Sequence, residues 1–109
     1  MIEIDVQDIA EIERARQVAG GLYREFLRQP SMSLGLYVLD AGADDPQTPH
    51  AEDEVYYVIS GRAAVRVDGR DSPIGPGSVV FVGKRVEHRF HSITERLELL
   101  VVFAPAESG

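Results

Sequence analysis

The stretch VYYVISGRAAVRVDGR, residues 55–70, decides the fold class. Two apolar runs rich in β-branched and aromatic residues are separated by Gly61, and the second run ends at Asp68-Gly69. An Asp-Gly pair suits a two-residue hairpin turn, because both central residues of that turn need positive φ. The stretch therefore predicts two short strands, the second of which leads through a tight hairpin into a polar segment.

The same spacing continues on both sides of this stretch. Upstream, the extended runs YREFLRQ and MSLGLYVLD flank Pro30. Downstream come SVVFV, VEHRFHSI and LELLVVF, with breaks at Gly83 and at residues 94–96. Six or more short strands, with turn residues about every 8–12 positions, predict an all-β antiparallel sandwich or barrel and not alternating β-α units.

One short helix is predicted before the strands. Asp8 and Glu11 fit a capping box, and apolar residues recur at helical spacing until Gly20-Gly21. We expect a single domain over residues 1–109, with the helix at about 8–19, the barrel at about 22–104 and a short frayed C-terminal tail.

The composition excludes several classes of function. The chain has 109 residues, a formal net charge of −7 and no cysteine. Without a basic cluster, nucleic acid and anionic membrane surfaces are not expected as partners. Without cysteine there are no disulfides, thiolate metal sites or thiol nucleophiles, which fits a reducing compartment. The start has no signal-peptide pattern and no apolar run is long enough to span a membrane, so we expect a cytoplasmic protein.

A candidate metal site lies at the start of the apolar run. If the extended conformation already holds at residue 50, then His50, Glu54 and the apolar side chains that follow share one face. His88 and Phe90 share a face farther along, whereas His91 falls on the other. Two histidines and one glutamate form an open facial set that suits Fe, Mn, Ni or Zn. The alternative is a solvated hydrogen bond at a strand end.

Two sequence motifs resemble those of the cupin superfamily. Gly42, five residues, Thr48-Pro49-His50, three residues, Glu54, six residues and Gly61 match the first cupin motif, except at residue 48, where the family has histidine. The second motif is met at Gly77 and His88, but Gly83, Arg85 and Ser92 replace its proline, glycine and asparagine. The motifs span residues 42–92.

This resemblance implies a small single-domain jelly-roll-like β-barrel that binds a divalent metal in its interior. His50, Glu54 and His88 occupy three of the family's four ligand positions, and the fourth holds Thr48, a poor ligand. Gln47, Glu52 or water could supply the fourth ligand, and the sequence does not choose among them.

Further roles follow for the residues around this site. We expect Tyr56, Val58 and Phe90 to line a substrate pocket, although aromatic residues in a small barrel are first of all core. Glu52 is the nearest spare carboxylate for proton transfer. Lys84-Arg85 is interpreted as a solvated turn, with an anion clamp as the alternative.

The strand face opposite the site is also apolar, since it carries Val55, Tyr57 and Ile59. The N-terminal helix would cover part of this face, and a second subunit the rest, so we predict a homodimer.

Three functions fit these features. The first is a metal-dependent enzyme acting on a small molecule, with dioxygenase, isomerase and lyase chemistry all known in families of this kind. The second is a non-catalytic barrel that binds or senses a metabolite, and the third is an interaction scaffold with a vestigial site. A small anionic or carbonyl compound is the favoured ligand, with Arg85 at the pocket rim.

Overall fold

The computed structural model describes residues 4–108. Over these residues the chain forms one helix and six strands: α1 Ile9–Ala19, β1 Tyr23–Gln29, β2 Met32–Leu39, β3 Asp53–Val67, β4 Arg70–Ile74, β5 Val79–Val82 and β6 His88–Ala104. All strand pairs are antiparallel, in the order β1-β2-β6-β3-β4, with β5 paired to β3. This confirms the predicted all-β antiparallel, barrel-like fold with one short N-terminal helix.

Strands β3 and β6 are longer than predicted, so the expected breaks at Gly61 and at residues 94–96 are wrong. The strands run through both positions with 15 and 17 residues. Their pairing shifts register three times between Val58 and Ala64. Gly61 has a φ of 98°, and a Cβ there would lie 2.2 Å from the carbonyl oxygen of Arg96. The glycine marks a bulge that bends a continuous strand pair.

The hairpin prediction at Asp68-Gly69 is confirmed. The two residues have φ values of 49° and 78° and join β3 to β4 directly. Arg85 and Ser92 also have positive φ, at 61° and 50°. These are the positions where the second sequence motif has glycine and asparagine, the residues that adopt this conformation most easily. Arg85 and Ser92 therefore adopt a conformation that suits the glycine and asparagine of the motif.

The inner face of the sheet holds the main core, and α1 covers part of the outer face. Ile12 packs against Leu36 and Val38, with Phe26 and Ile59 at the edge of this cluster. A second part of the outer face is uncovered: the exposed fractions of Tyr57, Val79 and Phe81 are 44%, 68% and 63%. Within residues 4–108, none of the helical structure combines the length and hydropathy that a bilayer crossing requires.

Candidate metal centre

Two backbone contacts hold the segment that carries His50 against the end of β5. The amide of Arg85 donates to the carbonyl oxygen of His50 at 2.6 Å, and the amide of Lys84 donates to Asp53 Oδ1 at 2.9 Å. The side chains of Lys84 and Arg85 are exposed, as expected for a solvated turn. Because β3 begins only at Asp53, these contacts, and not strand alternation, place His50.

The structure brings His50, Glu54 and His88 together. One possible ligand atom from each side chain lies within 4.8 Å of the other two. His88 Nε2 is 2.9 Å from Glu54 Oε1, and both side chains are almost fully buried. Glu54 Oε2 is also buried, yet it has no hydrogen-bond partner among the described residues. A buried carboxylate oxygen without a partner is costly, so binding of a cation would stabilise this atom.

The surroundings of His88 fix the orientation of its ring. Nδ1 lies 2.9 Å from the carbonyl oxygen of Val86, which can only accept, so Nδ1 carries a proton and Nε2 faces Glu54. Burial lowers the pKa of His88, but the neighbouring Glu54 carboxylate and the Val86 carbonyl outweigh it, and the net pKa is raised. The Tyr56 hydroxyl lies 3.0 Å from the same Nε2. Burial, followed by the Glu54 charge, raises the pKa of Tyr56, so its phenol stays protonated.

A buried carboxylate that the sequence interpretation missed supports this arrangement. Asp45 accepts hydrogen bonds from the Tyr37 hydroxyl at 2.7 Å, the Gln47 side chain at 2.6 Å and the Phe90 amide at 3.0 Å. Gln47 thereby presents its oxygen to Tyr56, whose hydroxyl donates to it at 2.8 Å. The available signal was the Asp-Pro-Gln order, since an aspartate commonly accepts from the amide two residues later; here that distance is 3.2 Å.

Replacing Asp45 by Ala is expected to lower the free energy of unfolding by about 2–3 kcal/mol, because three buried donor groups lose a charged acceptor. Urea denaturation measures this loss. Tyr37→Phe removes only one of the donors, so we expect about 1 kcal/mol for it. Equal losses in the two variants would contradict the role given to Asp45.

A cavity of about 130 Å³ adjoins the cluster. Its wall is formed by Tyr23, Tyr37, Gln47, His50, Tyr56, Val101, Phe103 and Glu107. Of the residues predicted to line a pocket, Tyr56 is in this wall. Val58 and Phe90 are both fully buried core residues that lie outside it, and Phe90 packs edge-on against Tyr56 at a centroid distance of 4.9 Å.

The described part of the C-terminal tail is held by hydrogen bonds, so the prediction of a frayed tail is wrong there. One of the residues that hold it is Glu52. Glu52 Oε2 accepts from the amide and hydroxyl of Ser108, at 3.2 and 2.6 Å, so it holds the tail and does not face the cluster. The amide of Glu107 donates to Ser33 Oγ at 2.9 Å. Glu107 Oε2 lies 3.1 Å from His50 Nδ1, and burial raises the pKa of Glu107. Nothing in the local sequence indicated this long-range contact.

Two more predicted positions do not contribute to the cluster. Thr48 is exposed and borders a surface groove that His88 also lines, together with Arg66 and Arg89. His91 pairs with Asp71, with 2.7 Å between Nε2 and Oδ1, outside the site as expected.

Comparisons with known proteins place the chain among relatives of similar sequence and fold. Among curated proteins, an uncharacterized protein from Streptomyces coelicolor is 53% identical over 98 residues, which cover 90% of this chain and 93% of the relative. A protein from Mycobacterium tuberculosis named beta-D-galactosidase is 33% identical over 79 residues, 72% of this chain and 68% of the relative.

The solved structures include one of similar size and fold. The protein TT1209 from Thermus thermophilus superposes with a TM-score of 0.74 at 23% sequence identity, covering 94% of this chain and 99% of the other. The family model described as the cupin domain matches residues 35–103, which contain five of the six strands wholly or in large part. The chain therefore belongs to the cupin family.

Proposed function

We propose that this cupin is a metal-dependent enzyme acting on a small molecule, with a dioxygenase-, isomerase- or lyase-like reaction. His50, Glu54 and His88 would hold a divalent Fe, Mn, Ni or Zn ion. The observation that carries this proposal is the buried, unpartnered Oε2 of Glu54 within a cluster of two imidazoles. When bound, the ion would supply Lewis acidity and open coordination positions for substrate.

The protein's own groups would prepare the site for that chemistry. The carbonyl of Val86 holds the His88 ring in one tautomer. Asp45 orients Gln47, which holds the Tyr56 hydroxyl beside the cluster. The protonated phenol of Tyr56 can therefore serve as a hydrogen-bond partner beside the cluster, while Val101 and Phe103 form an apolar wall that limits water. Two roles stay predictions: that Gln47 is a metal ligand and that Tyr56 contacts the substrate.

The alternative is a barrel that binds or senses a small metabolite without turning it over. The exposed position of Thr48 favours it, because the fourth ligand position of the family is then left without a protein donor. The relative named beta-D-galactosidase favours an enzyme instead and adds glycosides to the compounds worth testing.

Two measurements on untagged protein separate these functions. Elemental analysis is expected to find close to one equivalent of a transition metal. Less than about a tenth of an equivalent, together with no thermal stabilisation on adding metal, would contradict the proposal of a metal-dependent enzyme. Oxygen uptake and product analysis with a panel of small acids, enols, thiols and glycosides then distinguish turnover from binding alone.

We also propose that the protein forms a homodimer. Its single-domain organisation and its location in the cytoplasm are further parts of the proposal. The exposed side chains of Tyr57, Val79 and Phe81 lie together, because Tyr57 pairs with Val79 and Val55 with Phe81 across β3 and β5. An apolar patch at a sheet edge is typical of a surface that another subunit covers.

Replacing Phe81 by Glu is expected to shift the mass in solution from a dimer to a 12.0 kDa monomer. A charge in the middle of an apolar interface is desolvated without a partner, which weakens the association. Sedimentation equilibrium at micromolar concentration measures the change. Val18→Glu is the control, because Val18 is 90% exposed on α1. A monomeric wild-type protein would contradict the dimer.

A further inference from the structure

The C-terminal tail supplies one wall of the cavity beside the metal cluster. Glu107 lines this cavity, and its backbone is held on both sides. The Glu107 amide donates to Ser33 Oγ at 2.9 Å, and Arg28 donates to the Glu107 carbonyl oxygen at 2.6 Å. Ser108 is bound to Glu52, a buried residue. These contacts position the Glu107 carboxylate next to His50, whose Nδ1 is 3.1 Å away.

The charge of this wall decides which ligands the site favours. The cavity wall over residues 4–108 contains no lysine or arginine, and its one carboxylate is that of Glu107. A divalent ion balanced by Glu54 alone would carry a net charge of about +1 and attract anions. Glu107 brings this sum to about zero. Arg28 does not neutralise the Glu107 carboxylate at the wall, since its guanidinium binds the Glu107 carbonyl oxygen and the Glu25 carboxylate.

The wall also holds a polar group that has no partner within residues 4–108. The hydroxyl of Tyr23 is buried without a hydrogen bond among the described residues. Its ring lies directly over Gly35, where a Cβ would come within 2.0 Å of it, so the absence of a side chain at residue 35 allows the ring this position. A ligand hydroxyl or carbonyl could accept from Tyr23, and a ligand hydroxyl could donate to Glu107.

We propose that Glu107 is a specificity-determining residue, which makes the cavity accept a small neutral compound with neighbouring hydroxyl and carbonyl groups and reject the matching carboxylate. This inference rests on the proposed metal site. A neutral ligand takes the place of the anionic one that the sequence favoured, because Arg85 is exposed and is not part of the cavity wall. The volume of about 130 Å³ suits a three-carbon compound, since a cavity of about 150 Å³ holds benzene.

Dihydroxyacetone and glycerate are suitable probes, because they are similar in size and differ in charge. Ligand-observed NMR titration of the metal-loaded protein is expected to give about tenfold tighter binding of dihydroxyacetone. In Glu107→Gln, glycerate should bind about tenfold more tightly than in wild type, with less than about a threefold change for dihydroxyacetone. Glu95→Gln is the matched control: it removes an exposed carboxylate that pairs with Arg62 outside the wall and should behave as wild type.

Metal content is measured on the same samples, so that the two proposals fail separately. A wild-type protein that takes up no metal overturns the proposed function, and the probes are then compared on the metal-free protein, where Glu107 should repel glycerate even more. Three results overturn the role of Glu107 while the metal site stands: equal binding of both probes, no binding of dihydroxyacetone, or unchanged glycerate affinity in Glu107→Gln.

Discussion

Glu54→Gln is expected to lower metal affinity by more than the roughly 10- to 100-fold that loss of an outer-shell hydrogen-bond partner costs. The substitution removes the negative charge from the middle of the cluster but keeps the shape of the side chain. Because Glu54 Oε1 lies 2.9 Å from the buried Nε2 of His88, the variant loses this ion pair, and without metal it should unfold below the temperature of metal-free wild type. Affinity is measured by competition with a chelator, and stability by thermal unfolding with and without Zn.

Wild-type protein should gain about 2.7 kcal/mol from metal at 100 times its Kd, whereas Glu54→Gln should gain almost nothing at the same concentration. Glu52→Gln is the control, because Glu52 is also a buried glutamate of this segment but bonds to Ser108. Its metal content should match that of wild type. Unchanged affinity in Glu54→Gln, or loss of metal in Glu52→Gln, would mean that the carboxylate ligand is wrongly assigned.

The largest loss of stability is expected for Gly61→Ala, at about 3–5 kcal/mol. The new Cβ would meet the backbone of β6, at 2.2 Å from Arg96 O and 2.7 Å from Leu97 Cα, and neither atom can move aside without breaking the strand pair. The positive φ of 98° adds its own strain to a residue with a side chain. Urea denaturation followed by circular dichroism measures the difference.

Gly77→Ala isolates the conformational part of this effect. Gly77 has a φ of 90°, yet no atom lies within 4 Å of a Cβ built there. We expect a loss of about 1–2 kcal/mol from φ alone. If the two alanine variants lose the same amount, then the close approach of β3 to β6 does not make Gly61 necessary.

The fold and two of the three cluster residues, Glu54 and His88, could be predicted from sequence because they depend on local patterns. Glu54, Tyr56 and Val58 alternate inward along β3, and all three are buried. His88 and Phe90 do the same on β6. His50 lies before β3 begins, so the predicted alternation does not extend to it, whereas the resemblance to the cupin motif indicated its place without that condition.

The remaining features depend on contacts between distant residues. Glycine signals both turns and bulges, and only its partner strand distinguishes them; at Gly61 that partner is Arg96, 35 positions later in the chain. Asp45 is buried through hydrogen bonds from two distant segments, which contain Tyr37 and Phe90. Glu107 lies beside His50 because its backbone binds Ser33 and Arg28, and these contacts have no short-range pattern.

The central place of β6 in the sheet also determines how the protein folds. Strand β6 lies between β2 and β3, although it is the last of the six in the chain. Until it arrives, the edges of both neighbours are unpaired, and an intermediate that lacks it can aggregate through them. Since most of the pairing joins residues far apart in sequence, folding belongs to the slow range of milliseconds to seconds. The metal cluster cannot form before β6 has paired, because His88 is the first residue of β6.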